Sequence, residues 1–478
     1  MKRIAHAFFL IFILAAGVLV TGTALLASQA DDYCAAGEIT VGERADSNGV
    51  SVQLTSELAH HLTWDLLYDP ASGASTASAS WSLPFVNLYT YNTPAYIGLR
   101  TVSDYQISWS SITTPDFDAP LIAGIYSTFL ADSALSGETS ISYPLSQFTS
   151  YLPVTAETRL INGLDTAALE ELFRIPVPDW MTVRARLSHN SNPLYDTNYF
   201  SVYDETDGAL SFDSDSVFAP DGWMYFVFDV RREGTRELLD GSQLPGGNWG
   251  VWRMRCTPQT DTSSPGWWNE SFEVRCDLST VENVFPLGQD GWDGAELELS
   301  HDGKYVLLFT YEGEDSYLTT IDAVTGEQKQ RMLLTSGADS YLPTDIYQDE
   351  DWAVFDYYQT LVCALYEDGR YTPVFTAEAG LPTAPEWMDM DLERFTYEWS
   401  LDDCAFDGRY LYTMHKVVYN PERTAGTEGS EYYYVLSIRD ENGTLYTEWL
   451  HTPLDVYYYD YNVNTTAKLR LPEPAEAA

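Results

Sequence analysis

Carboxylates are the residues of this chain best suited to chemistry. The sequence holds 71 Asp and Glu residues against 25 Lys and Arg residues. Two carboxylates can hydrolyse a glycosidic bond, one as general acid and the other as base or nucleophile. Asp389 and Asp391 stand close together, as do Asp402 and Asp403. A solvated acidic loop is the other interpretation of these positions, and the sequence alone nominates no catalytic pair.

Other catalytic patterns are missing from the sequence. There is no G-x-S-x-G, H-E-x-x-H, glycine-rich phosphate loop or EF-hand loop, and no lysine lies in an S-x-x-K motif. His60 and His61 would point to opposite faces of a strand, so they could not bind one metal ion. We therefore expect no catalytic residue, no cofactor and no metal ligand, while the acidic composition leaves room for a structural cation.

Two cysteines carry the most specific local chemistry. Cys256 and Cys276 each follow an arginine at the end of an apolar run, with a polar segment between them. Neighbouring antiparallel strands bring Cα atoms within bridging distance, so the pattern predicts a disulfide. Two buried free thiols are the alternative. The chain has five cysteines, so at least one stays outside any internal pairing.

The charge of the chain excludes some partners. A formal net charge of -46 would repel nucleic acid and anionic lipid. The acidic residues are spread along the chain, which favours a role in solubility over cation binding or a high-salt habitat. Apolar residues make up 45% and aromatic residues 14%, so the chain can bury a large core rich in β-formers.

The first 30 residues resemble a leader. Lys2 and Arg3 precede an apolar stretch from about Ile4 to Ala27, which places the start in the cytoplasm. Small residues at Ser28 and Ala30 would suit signal-peptide cleavage, yet the stretch is also long enough to anchor the chain in a bilayer. Both alternatives predict an extracytoplasmic protein that meets the membrane through its N-terminal segment only, or a secreted one.

The stretch Ser300–Gly326 indicates the elements that would position any site. Lys304–Tyr311, Tyr317–Val324 and Gln328–Thr335 are predicted strands of one antiparallel meander. The apolar run in the first of them is nearly continuous, which is typical of a strand covered on both faces.

Similar units recur along the chain, each opened by an Asp-Gly turn. These turns supply the positive φ that a tight hairpin needs, so we assign them to structure rather than to ligand contact. The residues so assigned are Asp221, Gly222, Asp302, Gly303, Asp407 and Gly408. The meanders repeat at a spacing of roughly 40 to 60 residues. This spacing predicts an all-β fold, a β-propeller of about six to eight four-stranded blades.

The repeats resemble those of TolB-type β-propellers. Ser300–Lys304, followed by a strand and then by Ile321–Glu327, is similar to the family's Ser-Pro-Asp-Gly-Lys and closing Asp-x-x-Thr-Gly. Phe218–Gly222 is similar too, whereas His301 departs from the family's proline. The resemblance covers about half of the chain and implies a propeller fold, which serves binding, scaffolding or catalysis in different proteins.

The domain organisation follows from these patterns. Residues 1–30 are the signal peptide or anchor, and 31–200 form an irregular β region, either the first blades or a separate β domain. A helix is predicted at Thr166–Phe173. Residues 201–470 are predicted blades, and 471–478 a disordered tail.

These observations favour a non-catalytic binding or scaffolding module for an envelope protein, a peptide or a glycan. The alternative is a glycan-active hydrolase or lyase that uses acidic residues in the propeller funnel. A structural or sensory partner of a membrane complex is a third interpretation.

Overall fold

The computed structural model shows a protein built almost entirely of antiparallel β-sheets. The described residues are 35–58, 62–81, 97–101, 104–110, 120–152, 154–158, 166–192, 195–204, 210–219, 221–232, 234–235, 237–259, 273–287, 293–337, 342–380, 383–386, 388, 399–419, 431–451 and 464–472. The predicted leader, and the predicted tail apart from Leu471 and Pro472, therefore lie outside the described residues. No helix in the described part of the chain is long and apolar enough to cross a membrane.

The elements follow one another along the chain in three groups. The first is β1 (Ala36–Val41), β2 (Ser51–Leu58), β3 (Leu62–Asp69) and β4 (Ala74–Trp81). The second is β5 (Ile97–Thr101), β6 (Asp104–Ser110), α1 (Pro120–Ser136), β7 (Ser140–Pro144), β8 (Val154–Thr158), α2 (Thr166–Leu172), β9 (Thr182–Asn192), β10 (Tyr195–Asp204), β11 (Leu210–Phe218), β12 (Trp223–Arg232), β13 (Gly250–Gln259), β14 (Glu273–Pro286), β15 (Asp293–Leu299), β16 (Tyr305–Glu312), β17 (Asp315–Asp322) and β18 (Gln328–Ser336). The third is β19 (Asp345–Gln348), β20 (Trp352–Asp356), β21 (Thr360–Glu367), β22 (Arg370–Glu378), β23 (Trp399–Phe406), β24 (Leu411–Tyr419), β25 (Glu431–Asp440), β26 (Gly443–His451) and β27 (Asn464–Arg470).

The chain divides into two compact units. The first unit comprises Met1–Asn92 and Ala338–Ala478, and the second comprises Thr93–Gly337. The sheets of the first unit have the strand orders β19-β20-β21-β22, β1-β26-β25-β24-β23 and β27-β2-β3-β4. The sheets of the second unit have the orders β6-β10-β9-β7, β11-β12-β13-β14, β15-β16-β17-β18 and β5-β8. Repeated four-stranded meanders confirm the predicted all-β, propeller-like fold class, while the number of blades stays a prediction.

The meander predicted within residues 304–335 is present. Its strands are β16, β17 and β18, and β15 completes the sheet. Six consecutive residues of β16, Tyr305–Thr310, are buried, as expected for a strand covered on both faces. Turn chemistry and apolar runs are local signals, which is why this sheet was predictable from the sequence.

The first unit joins the two ends of the described chain. β27 pairs with β2, and β1 pairs with β26. The carboxylate of Glu448 on β26 is fully buried and accepts hydrogen bonds from Tyr68 (2.5 Å) and Tyr446 (2.6 Å). Burial of the Tyr68 hydroxyl is the main cause that raises the pKa of Tyr68 to about 12. A Cβ at Gly37 would collide with Glu448, so only glycine lets β1 approach this group.

The second unit contains both α-helices of the described chain. α1 packs on β10, where the Tyr126 and Phe200 rings lie edge to face at 4.8 Å. α2 matches the predicted helix within one residue, and Phe173 just after it contacts Trp252 edge to face at 5.8 Å. α1 itself was not predicted, although Pro120 in its first turn is a recognised helix-start signal.

Candidate functional site

The six turn residues assigned to structure lie in three equivalent turns. Each turn joins the first and second strands of a four-stranded meander, namely β11 to β12, β15 to β16 and β23 to β24. The glycines have positive φ: 88° at Gly222, 66° at Gly303 and 91° at Gly408. Such φ values favour glycine at these positions.

The aspartates of these turns bond to their own backbone. Asp221 accepts from the Trp223 amide (3.2 Å), Asp302 from the Lys304 amide (3.1 Å), and Asp407 from the amides of Arg409 (2.9 Å) and Tyr410 (2.7 Å). These contacts fix the backbone of each turn through one oxygen of each carboxylate, which supports the structural role.

Cys256 and Cys276 face each other on β13 and β14. They are register partners, and their Sγ atoms are 2.8 Å apart. The contact with Cys276, together with burial, raises the pKa of the Cys256 thiol. The arrangement is one in which antiparallel neighbours can be bridged. The bond itself stays a prediction.

Two half-buried carboxylates tie neighbouring sheets together. Asp215 on β11 accepts from the Leu297 amide of β15 at 2.6 Å, and Asp403 on β23 accepts from the Leu469 amide of β27 at 2.6 Å. Both link the first strand of one meander to the first strand of the next. Burial raises the pKa of Asp215 to about 6 and raises that of Asp403. Their hydrogen bonds give them a structural role.

Three pairs of described acidic residues are register partners, and arginines engage two of them: Arg231 donates to both Asp213 and Asp229, and Arg331 donates to Glu312, the partner of Asp315. Asp345 and Asp356 are register partners on β19 and β20. Burial raises the pKa of Asp356, and the charge of Asp345 adds to the increase. Asp402 instead accepts from the Ser400 hydroxyl at 2.7 Å. His60, His61, Asp389 and Asp391 lie outside the described residues. Within the described ranges, no three His, Cys, Asp or Glu side chains are arranged to hold a metal ion.

A different site stands out on the sheet β27-β2-β3-β4, which presents one face to solvent. Alternation along β2 and β3 buries Val52, Leu54, Leu66 and Tyr68 in the core of the first unit. The opposite face, called here the polar face, consists of Gln53, Thr55, Asp65, Leu67, Thr76, Ser78, Thr466, Lys468 and Arg470, each of which is exposed or half-buried. Because side chains alternate along a strand, the register places all nine on one side of the sheet.

Hydrogen bonds run across the strands of the polar face. The Thr55 hydroxyl donates to Asp65 at 2.9 Å, and the Gln53 amide donates to the same carboxylate at 3.4 Å. Arg470 in turn donates to the side-chain amide oxygen of Gln53. This ladder lies beside a shallow concavity of about 200 Å³, whose lining also includes Leu67, Thr76 and Ser78.

The chemistry of the polar face suits binding rather than catalysis. It offers hydroxyl, amide, carboxylate and guanidinium groups held in fixed positions, together with one exposed apolar side chain, Leu67, at 41%. Among its described members there is no cysteine or histidine. Sequence reasoning missed this site, although the alternation of Val52-Gln53-Leu54-Thr55 already indicated a strand with one polar side.

The second unit has a related surface on the sheet β6-β10-β9-β7. Its β9 and β10 bury Val183, Ala185, Phe200 and Val202 on one side. On the other side the register aligns Arg184 with Tyr203, Arg186 with Ser201 and Ser188 with Tyr199. The polar face of the first unit is the stronger candidate because its cross-strand hydrogen bonds lie beside a concavity.

Comparison with known proteins adds little to this geometry. No protein-family model matches the chain, and no curated protein matches it. Solved structures similar to it include candidate 6-phosphogluconolactonases from Bacteroides fragilis NCTC 9343 (10% identity, 84% of this chain and 94% of the other, TM-score 0.21) and Bacteroides uniformis ATCC 8492 (12%, 79% and 94%, 0.25). TolB from Acinetobacter baumannii is another (11% identity, 84% of this chain and 80% of the other, TM-score 0.18). Likenesses this weak carry no argument about function.

Proposed function

We propose that the protein is an extracytoplasmic, non-catalytic binding module with a propeller-like fold, anchored by its N-terminal segment or secreted. Its ligand is an envelope protein, a peptide or a glycan, and the polar face is the binding surface. The observation that carries the proposal is the cross-strand ladder of Arg470, Gln53, Asp65 and Thr55 beside an exposed concavity. Groups already held in place lose little rotamer entropy when a ligand binds.

The location follows from the basic start and apolar stretch of the sequence. Protease added to intact cells should digest the chain beyond about residue 31, while a cytoplasmic control protein stays intact. Full protection of this part of the chain in the same cells would contradict the extracytoplasmic location.

The binding role can be tested on arrays of peptides and oligosaccharides. We expect at least one ligand whose affinity falls tenfold or more in Asp65→Ala, a loss of about 1.4 kcal/mol. Thr372→Ala, which removes an exposed hydroxyl from β22 of the same unit, is the matched control and should bind as the wild type does. Equal binding by the wild type, Asp65→Ala and Thr372→Ala would contradict the proposal that the polar face is the binding surface.

A glycan-active enzyme remains the second candidate because of the Asp345 and Asp356 pair. A carboxyl group with a raised pKa is suited to general acid catalysis. Cleavage of a bound glycan that stops in Asp356→Asn, with binding unchanged, would favour the enzyme. Intact glycan after prolonged incubation is expected for the binding module.

A further inference from the structure

The polar face carries enough chemistry to narrow the class of its ligand, provided that the proposed binding function holds. Its register forms two parallel rows across four strands. One row is Lys468, Gln53, Leu67 and Thr76, and the other is Thr466, Thr55, Asp65 and Ser78. Donors and acceptors therefore repeat in two directions beside the concavity.

The charges of the two rows nearly balance. One row holds the cation Lys468 on β27, the other holds the anion Asp65 on β3, and Arg470 adds a cation at the edge of the concavity. The whole chain has a net charge of -46, which repels polyanions at a distance. A local surface of mixed sign within such a field favours a neutral ligand over an acidic polymer.

The scarcity of apolar and aromatic side chains on the polar face argues against a protein partner. Binding hot spots in protein interfaces are enriched in Trp, Tyr and Arg, packed in desolvated pockets. The nine residues of the polar face include one arginine and no aromatic residue, and Leu67 is the single large apolar side chain. One apolar side chain surrounded by hydroxyl, amide and carboxylate groups matches a sugar ring, which has C–H bonds on its faces and hydroxyls at its edge.

We propose that the polar face binds a neutral oligosaccharide, laid over Leu67 along the concavity. The carboxylate of Asp65 and the carbonyl oxygen of Gln53 accept hydrogen bonds from sugar hydroxyls. Arg470, Thr76 and Ser78 donate hydrogen bonds to sugar oxygens. The ladder that joins Arg470, Gln53, Asp65 and Thr55 holds these groups in place before the sugar arrives.

Isothermal titration calorimetry with defined sugars tests the proposal. The neutral probes are cellohexaose, laminarihexaose and chitohexaose, and the acidic probe is a galacturonate hexamer. We expect at least one neutral probe to bind with a dissociation constant below about 1 mM. Asp65→Ala should weaken that binding tenfold or more, and Leu67→Ser should weaken it as well.

Two further variants keep the test independent of folding. Thr76→Val removes one exposed hydroxyl from an edge strand without changing the size of the side chain, so it should fold normally and weaken binding several-fold. Thr372→Ala should bind as the wild type does.

The outcomes separate the proposal from the function on which it rests. Acidic sugars or peptides that bind in an Asp65-dependent manner, in place of neutral sugars, would overturn the ligand class and leave the binding function standing. Neutral sugars that bind equally to the wild type and to Asp65→Ala would overturn the assignment to the polar face. Absence of binding by every probe and by the peptide array would overturn both.

Discussion

Two sheets of the first unit pack against each other yet differ in how many of their faces are covered. In the sheet β1-β26-β25-β24-β23, residues Tyr432–Arg439 of β25 are all buried. In the sheet β27-β2-β3-β4, burial alternates, and the side facing away from the core is the polar face. The first pattern is expected of a strand whose two faces are both covered, and the second of a strand with water on one face.

This difference shows which side chains of the first unit remain available to contact a ligand. A doubly covered sheet uses both sides for packing, so its polar groups, such as Glu448, are consumed by internal hydrogen bonds. The nine side chains of the polar face are each exposed or half-buried. Its side chains are positioned by the same register but remain accessible to a ligand.

The largest expected effect is in the covered sheet. Leu436→Ala on β25 should destabilise the protein by about 2–5 kcal/mol, because it opens a cavity in the core. Leu67→Ala on the polar face should change stability by less than about 0.5 kcal/mol, since the side chain is already exposed. Urea unfolding followed by tryptophan fluorescence measures both, and similar losses in the two variants would break the comparison.

The sheet β11-β12-β13-β14 in the second unit offers a second effect. If Cys256 and Cys276 form the predicted disulfide, reduction should loosen β13 and β14 by roughly 3 kcal/mol, from the entropy of closing the loop. Mass spectrometry of a non-reduced digest should find the two peptides linked. Two free thiols in protein purified without reductant would rule the bond out and leave them as small buried side chains.

A smaller effect concerns pH. The folded-state pKa of Asp215 is raised to about 6, above its ordinary value of 3.8, so the folded protein binds this proton more tightly than the unfolded chain does. Stability from this group is therefore fully present below about pH 4 and is lost as the pH rises through about 6. Asp215→Asn should reduce the loss of stability between about pH 4 and about pH 6 by about 1–3 kcal/mol. Urea midpoints measured between these pH values test this, with Asp277→Asn at an exposed position of β14 as the control. A slope for Asp215→Asn that matched the wild type would contradict the account.

The sequence predicted the elements whose signals are local. Asp302 and Gly303, with the apolar run after them, identified the meander β16-β17-β18 to within two residues. The pairing of β27 with β2 joins residues that are more than 400 positions apart, and no local signal encodes it. α1 was overlooked even though Ile122, Ile125 and Phe129 recur at helical spacing.

The candidate site was harder to predict than the fold. Alternation in β2 indicates one polar side, but whether that side is open depends on what packs against it, which only the tertiary structure shows. The predicted turn aspartates, by contrast, needed only local geometry. The proposed binding residues Gln53, Asp65 and Arg470 are distant or unremarked in the sequence, and they lie close together on the sheet.

Hydrogen–deuterium exchange with and without a mixture of cellohexaose, laminarihexaose and chitohexaose tests the central claim most directly. Binding at the polar face should slow exchange in peptides from β2, β3, β4 and β27, leave β19 and β20 unchanged, and return the sugars intact. Slower exchange centred on β19 and β20, accompanied by shortened sugars, would contradict the account and point to an enzyme that uses Asp345 and Asp356.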